Sequence, residues 1–169
     1  DFCQLAGQAP KEKYQGSAEL CARLLLRYAS EPLVETLKLY RLMVFSWWVG
    51  NGDLHLKNLS LLREPDGTYR LSPVYDLVCT TLLIQGDQLA LPVGGNRKSP
   101  SRKQWLEFAK ACRLPERAAL RVLHELSLAL AEVDHLVEGS FLPEEMRGLY
   151  RGLLRERGAA LGSLRRSAS

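Results

Sequence analysis

Val49-Gly50-Asn51-Gly52-Asp53-Leu54-His55-Leu56-Lys57-Asn58 is followed, across two short runs of strand-forming residues, by Tyr75-Asp76-Leu77. In front of it lies the most apolar part of the chain, residues 33–49. A polar knot wedged between a buried helix and a hairpin is costly to desolvate, and loops that carry chemistry are held in this way by rigid elements on both sides. Asn, Gly and Asp are also ordinary turn residues, so the knot by itself reads equally well as a plain turn.

The residue types suit phosphoryl transfer from a nucleotide. That reaction needs one carboxylate to orient the attacking hydroxyl and take its proton. It also needs an amide oxygen and a second carboxylate to hold Mg²⁺ at the phosphates. Asp53, Asn58 and Asp76 supply these groups in this order. Gly50 and Gly52 allow the backbone to turn sharply as it leaves the helix.

Working outward, the apolar run follows Ser30-Glu31-Pro32 and predicts a helix that presents the knot, with Pro32 in its first turn. Its aromatic residues Phe45, Trp47 and Trp48 read as core packing rather than a base-stacking surface. Ser17 is a candidate N-cap for an earlier helix reaching Tyr28, and residues 1–15 read as irregular. Beyond the knot, residues 59–62 and 69–72 predict a hairpin around Pro65-Asp66-Gly67-Thr68. Such a hairpin puts Asn58 at its entrance and Asp76 just past its exit, within reach of one metal ion. Residues 82–84 and 89–92 predict a second strand pair around Gly86-Asp87. Residues 94–103 read as a cationic loop. Three helices are then expected, over residues 101–113, 115–138 and 143–164, with Gly139 stopping the middle one. Arg165-Arg166 and the final Ser-Ala-Ser read as a fraying tail. His124 and His135 share a helical face without forming a zinc motif and read as structural or solvated.

With 169 residues and ordinary apolar and charged fractions, the chain can bury one sizeable core. A net charge of +4 permits an acidic partner or nucleic acid without requiring one. Cys3, Cys21, Cys79 and Cys112 are widely spaced, which argues for reduced thiols in a cytoplasmic protein rather than a disulfide framework or zinc site. Glu35, Lys38 and Arg41 interrupt the apolar run, so it does not read as a membrane span, which needs about 20 apolar residues. Residue 1 is Asp, and neither G-x-G-x-x-G nor a Lys-bearing early strand is found. A longer parent protein is therefore expected, with the lobe that grips the phosphates lying outside this chain.

The D-x-x-x-x-N spacing, an apolar strand and a second Asp resemble the catalytic loop of the protein-kinase-like superfamily. More closely, Gly-Asn-Gly-Asp-Leu-His-Leu-Lys-Asn at 50–58 and Tyr-Arg-Leu-Ser-Pro-Val-Tyr-Asp-Leu at 69–77 look like the C-terminal lobe of the HipA family, serine/threonine kinase toxins of bacterial toxin–antitoxin systems. Lys13-Tyr14-Gln15-Gly16 and residues 89–98 extend the likeness, which covers residues 1–115 and reaches the later helices only by type. Two features depart from ordinary protein kinases: no His-Arg precedes Asp53, and Leu77-Val78 follows Asp76.

The resemblance implies a mainly α fold with a small β-hairpin, the C-terminal lobe of a protein-kinase-like fold, formed as one lobe over residues 1–169. It implies ATP and Mg²⁺ as cofactors, with Asp53 the catalytic base and Asn58 and Asp76 the metal ligands. Lys57 falls on the nucleotide-phosphate side, and His55 and Lys57 match the family's catalytic loop. The implied partners are a protein substrate, in some relatives an aminoacyl-tRNA synthetase, and a helix-turn-helix antitoxin. Loop 94–103, with Arg97, Lys98, Arg102 and Lys103, would lie near operator DNA. Without its second lobe the chain is expected to be inactive. Two alternatives remain at this point: a small-molecule kinase of the aminoglycoside or choline type, using acids such as Glu125, Glu132, Asp134 and Glu138, and a non-catalytic partner-binding lobe.

Overall fold

The computed structural model describes residues 1–166. The chain starts with a four-residue helix α1 (Phe2–Leu5), not with the irregular segment expected. It is closed by a capping box in which Asp1 accepts from the Gln4 amide at 3.0 Å. The Phe2 amide then donates to the Leu59 carbonyl, which ties this end to the hairpin. Helix α2 (Ala18–Tyr28) begins where expected, with Ser17 Oγ accepting from the Leu20 amide at 3.1 Å.

Helix α3 (Pro32–Trp48) is the axis of the molecule. Leu39, Tyr40, Leu42, Met43, Val44, Trp47 and Trp48 are all buried, so its later turns are covered nearly all round. Tyr40 stacks on Phe108 with ring centroids 5.5 Å apart, and Trp105 meets Trp47 edge-on at 6.2 Å. The aromatic residues are thus core, as their apolar neighbours predict. Two polar groups of α3 tie it to later helices: Thr36 donates to the Cys112 carbonyl at 2.9 Å and Trp48 Nε1 to that of Leu154 at 2.9 Å.

Strands β1 (Leu61–Arg63) and β2 (Tyr69–Leu71) form the antiparallel hairpin, with Leu61 opposite Leu71 and Arg63 opposite Tyr69. Gly67 turns it at φ +84°. Glu35 reaches out of α3 to accept from the Leu71 amide at 2.9 Å and anchors β2 to the core. The second predicted strand pair does not form. The Leu83 and Ile84 amides both donate to Thr80 in a tight turn, whereas Leu89 donates to Arg97 and Ala90 to Gly52. Between Val93 and Asn96 there is a single bridge.

Helix α4 (Arg102–Ala111) starts inside the segment read as a loop, because Ser101 accepts from the Gln104 amide and caps it. Trp105, Phe108, Ala109 and Cys112 are buried on one side of it, as expected. The long helix expected over 115–138 is two, α5 (Glu116–Leu128) and α6 (Leu130–Glu138). They are joined at Ala129, whose ψ of −3° leaves the α-helical range and whose amide is shared between the Glu125 and Leu126 carbonyls. Gly139 ends α6. Helix α7 (Glu144–Arg166) packs along α5 and α6. The Ser-Ala-Ser tail expected to fray lies outside the described residues. Among the described residues all four cysteines are free, and no helix is long and apolar enough to cross a membrane.

Candidate functional site

The site begins where α3 stops. Gly50, at φ +79°, takes the left-handed position after the helix, and the Asn51 amide donates back to Ser46 while that of Gly50 donates to Trp47. This double bond pattern is the Schellman termination, and it needs glycine: a Cβ on Gly50 would also come within 2.9 Å of Cys79 Sγ and of Leu153. Buried Asn51 then turns the chain once more by accepting from the Asp53 amide at 3.0 Å. Leu54 and Leu56 go into the core, and residues 56–58 close a short 3₁₀ turn. Leu54, His55 and Leu56 are buried in succession and anchor the loop, and Asp53 and Asn58 are set at its two ends.

Asn58 is buried. Its Oδ1 accepts from the His55 amide at 3.1 Å, and its Nδ2 donates to Asp76 Oδ2 at 2.6 Å. The hairpin brings these groups together as its predicted geometry requires, since a hairpin's ends are neighbours. Tyr75 secures the join: its hydroxyl donates to the Lys57 carbonyl at 2.8 Å and lies 3.1 Å from Ser60 Oγ. Asp76 has φ +58°, a left-handed conformation that Asp and Asn tolerate better than other side chains and that turns its exposed carboxylate toward Asn58.

Asp53 contacts neither of these two. Its Oδ1 accepts a 2.8 Å hydrogen bond from the hydroxyl of Tyr14. The Tyr14 ring stands edge-on to His55, with centroids 5.2 Å apart, and Lys13 Nζ lies 4.8 Å from its centre. His55 is buried, and burial first, then the charge of Lys13, hold its pKa below the ordinary imidazole value. Lys57 projects its side chain into solvent. An amide oxygen and a carboxylate are the hard donor types that a divalent cation such as magnesium takes, with water completing its shell. Here Asn58 turns its Nδ2 to Asp76 and its Oδ1 to the His55 amide, whose bond leaves that oxygen a second lone pair.

Behind the loop is a group that the sequence did not announce. Asp87 accepts from the hydroxyl of Thr80 and lies 3.2 Å from that of Thr81, and Thr80 accepts from the Gly52 amide. Tyr14 reaches Asp53 from 39 residues away. Asp87, though only six and seven residues from its threonine neighbours, acts on the loop through the contact of Thr80 with Gly52, 28 residues apart. Neither role can be read from local spacing. The two arginines of residues 94–103 are engaged by protein. Arg97 donates to the Leu89 and Ala90 carbonyls and Arg102 pairs with Glu116, whereas Lys98 and Lys103 face solvent, Lys103 lying 3.9 Å from Glu107.

Comparison with known proteins agrees with this geometry. Residues 1–133 match the family model described as HipA-like C-terminal domain. "Putative kinase Y4dM" of Sinorhizobium fredii is 40% identical over 91 residues, which is 53% of this chain and 22% of that protein. A "Putative kinase" of Haemophilus influenzae is 30% identical over 88 residues, 50% of this chain and 25% of that protein. The matched stretches thus span about a quarter or less of these relatives. The fold matches a solved structure from Shewanella oneidensis MR-1, described as the toxin–antitoxin system HipA, HipB and its operator DNA complex. That match has a TM-score of 0.77 at 22% identity and covers 98% of this chain and 45% of that one. With more than half of its length matched, the chain belongs to the HipA-like C-terminal domain family.

Proposed function

We propose that this chain is the catalytic lobe of a cytoplasmic serine/threonine kinase of the toxin–antitoxin type, which transfers the γ-phosphate of ATP to a protein hydroxyl. The observation that carries the reading is the 2.6 Å contact between Asn58 and Asp76, made at the end of the same loop that holds Asp53. Asn58 and Asp76 would hold Mg²⁺, which when bound neutralises charge on the phosphates. Asp53 orients the substrate hydroxyl and takes its proton, Lys57 faces the phosphate side, and buried His55 supports the ring of Tyr14. Positioning and electrostatics do most of the work in such a transfer, which suits a loop anchored by buried Leu54, His55 and Leu56.

The family relationship and the relatives named as kinases support this chemistry, and the fold match to a HipA–HipB–DNA complex supports a helix-turn-helix antitoxin as partner. The matched relatives are several times longer than the matched stretch, in keeping with a second lobe that completes the nucleotide site. Of the four acids that a small-molecule kinase could use, Glu125, Asp134 and Glu138 each pair with an arginine and Glu132 is exposed on α6, which favours the protein-kinase reading over that alternative.

The test is Asp53→Asn in the intact protein. Loss of a general base lowers the rate by about 10²–10⁴-fold. Nucleotide affinity should change little, because Asp53 is not a metal ligand in this reading. Undiminished transfer to a serine or threonine acceptor would overturn the assignment.

A further inference from the structure

Asp87 touches neither Asp53 nor the Asn58–Asp76 pair, yet its carboxylate is packed against the backbone immediately before the proposed base. Its Oδ2 accepts from Thr80 Oγ1 at 2.6 Å and lies 3.2 Å from Thr81 Oγ1, whose single proton has a shorter acceptor in the Gly50 carbonyl at 3.0 Å. Thr80 Oγ1 itself accepts from the Gly52 amide at 2.7 Å. A hydroxyl that donates to a carboxylate is a better acceptor for the next N–H, so the three groups form a cooperative line ending on the loop. The segment holds Gly52 from its other side too, because the Ala90 amide donates to the Gly52 carbonyl at 2.9 Å.

Gly52 gives an independent sign of the same relationship. Its φ is not positive, so the backbone itself does not demand glycine. A Cβ there would lie 2.3 Å from Asp87 Oδ2 and 2.4 Å from Oδ1. What excludes a side chain at position 52 is the carboxylate of residue 87. Helix α7 closes the arrangement: Arg157 reaches Thr81 Oγ1 at 3.5 Å and donates to the Trp47 carbonyl at the end of α3.

We propose that Asp87 is a positioning residue for phosphoryl transfer, holding the Gly52–Asp53 backbone in place through the Thr80 hydroxyl. The catalytic part of this inference rests on the kinase reading above. Asp87 contacts no group assigned to substrate, nucleotide or metal. Its removal therefore acts on kcat and leaves nucleotide binding intact. Misplacing a catalytic group by about 1 Å costs on the order of 10²-fold.

The test compares Asp87→Ala and Asp87→Asn in the intact protein, with kinetics and amide hydrogen exchange of the peptide covering residues 49–54. Asp87→Ala is expected to lower kcat by about 10- to 100-fold, keep the KM for ATP within about twofold, and speed exchange in that peptide. Asp87→Asn retains an acceptor for Thr80 and should recover most of both. Full activity in Asp87→Ala, equal loss in the two variants, or unchanged exchange would each overturn the proposal. Should Asp87→Ala not fold, Gly52→Ala decides: the displaced loop must show the same kcat loss and faster exchange, and normal behaviour there refutes the tie. A wild-type protein that transfers no phosphate defeats the kinase reading alone, because the exchange measurements still decide whether Asp87 holds the loop.

Discussion

Tyr14 donates a 2.8 Å hydrogen bond to Oδ1 of Asp53, although the two residues are 39 apart in the chain. The bond engages one carboxylate oxygen and leaves the other for an incoming hydroxyl. Its donor is itself held in place, because the Lys13 carbonyl accepts from the Leu56 amide and the ring leans on His55. Tyr14→Phe keeps the ring and deletes the donor. We expect kcat of the intact protein to fall about tenfold, the equivalent of one charge-assisted hydrogen bond of roughly 1.4 kcal/mol. Thermal stability should barely move, since Tyr14 is 44% exposed. An unchanged kcat would show that the carboxylate needs no such restraint.

Asp76→Asn separates charge from backbone. Asparagine accepts the left-handed conformation that residue 76 adopts, so the turn survives while one anionic ligand is lost. The magnesium concentration for half-maximal phosphoryl transfer is expected to rise at least about tenfold. The same titration on Asp53→Asn should give the wild-type midpoint despite its slower rate. A wild-type midpoint in Asp76→Asn would remove Asp76 from the metal site.

Glu35 sets the position of the hairpin relative to α3. It is fully buried, pairs with Lys38 at 2.8 Å and accepts from the Leu71 amide. In Glu35→Ala that amide loses its partner, and a buried unsatisfied donor costs about 1–3 kcal/mol. Denaturant unfolding should show a loss of this order. Any loss of the Asn58–Asp76 contact, read as a higher magnesium midpoint, should accompany it. Wild-type stability would mean that β2 is held by packing alone.

Because burial and Lys13 depress the His55 pKa, the folded protein resists protonation that the unfolded chain accepts near pH 6.5. In that window the unfolded state binds more protons, so stability falls as pH drops from about 6.5 toward the folded pKa. Above it the contribution of His55 is constant. His55→Gln should flatten this part of the curve of melting temperature against pH. An identical slope in wild type and variant would assign the acid sensitivity to other groups.

Much of the scaffold is legible before any coordinates. Pro32 and the apolar run define α3, Pro65-Asp66-Gly67-Thr68 marks the hairpin turn, and Ser17 and Ser101 cap helices as their residue types suggest. The pairing of Asn58 with Asp76 follows from the hairpin between them. Other features answer to distant neighbours. Residues 82–84 and 89–92 have strand-like composition, but their amides find partners in Thr80, Arg97 and Gly52, and no ladder remains to be made. No glycine or proline marks the break at Ala129. A cation count over residues 94–103 suggests a solvated loop, whereas Arg97 is turned inward on two carbonyls. The bonds from Tyr14 to Asp53 and from Gly52 to Thr80 belong to the same class, since hydrogen bonds across such separations leave no periodic trace.

The indole of Trp48, buried at the foot of the loop-bearing helix, ends on the Leu154 carbonyl, and Tyr150 and Arg157 donate to the carbonyls of Val49 and Trp47. All three partners lie in α7, past residue 133, where the family-model match ends. An expression fragment trimmed to that limit would leave Trp48 without its acceptor and strip the apolar cover from α5. The stretch that the family model matches and the smallest piece expected to fold unaided therefore end at different places, the second nearer the C-terminus.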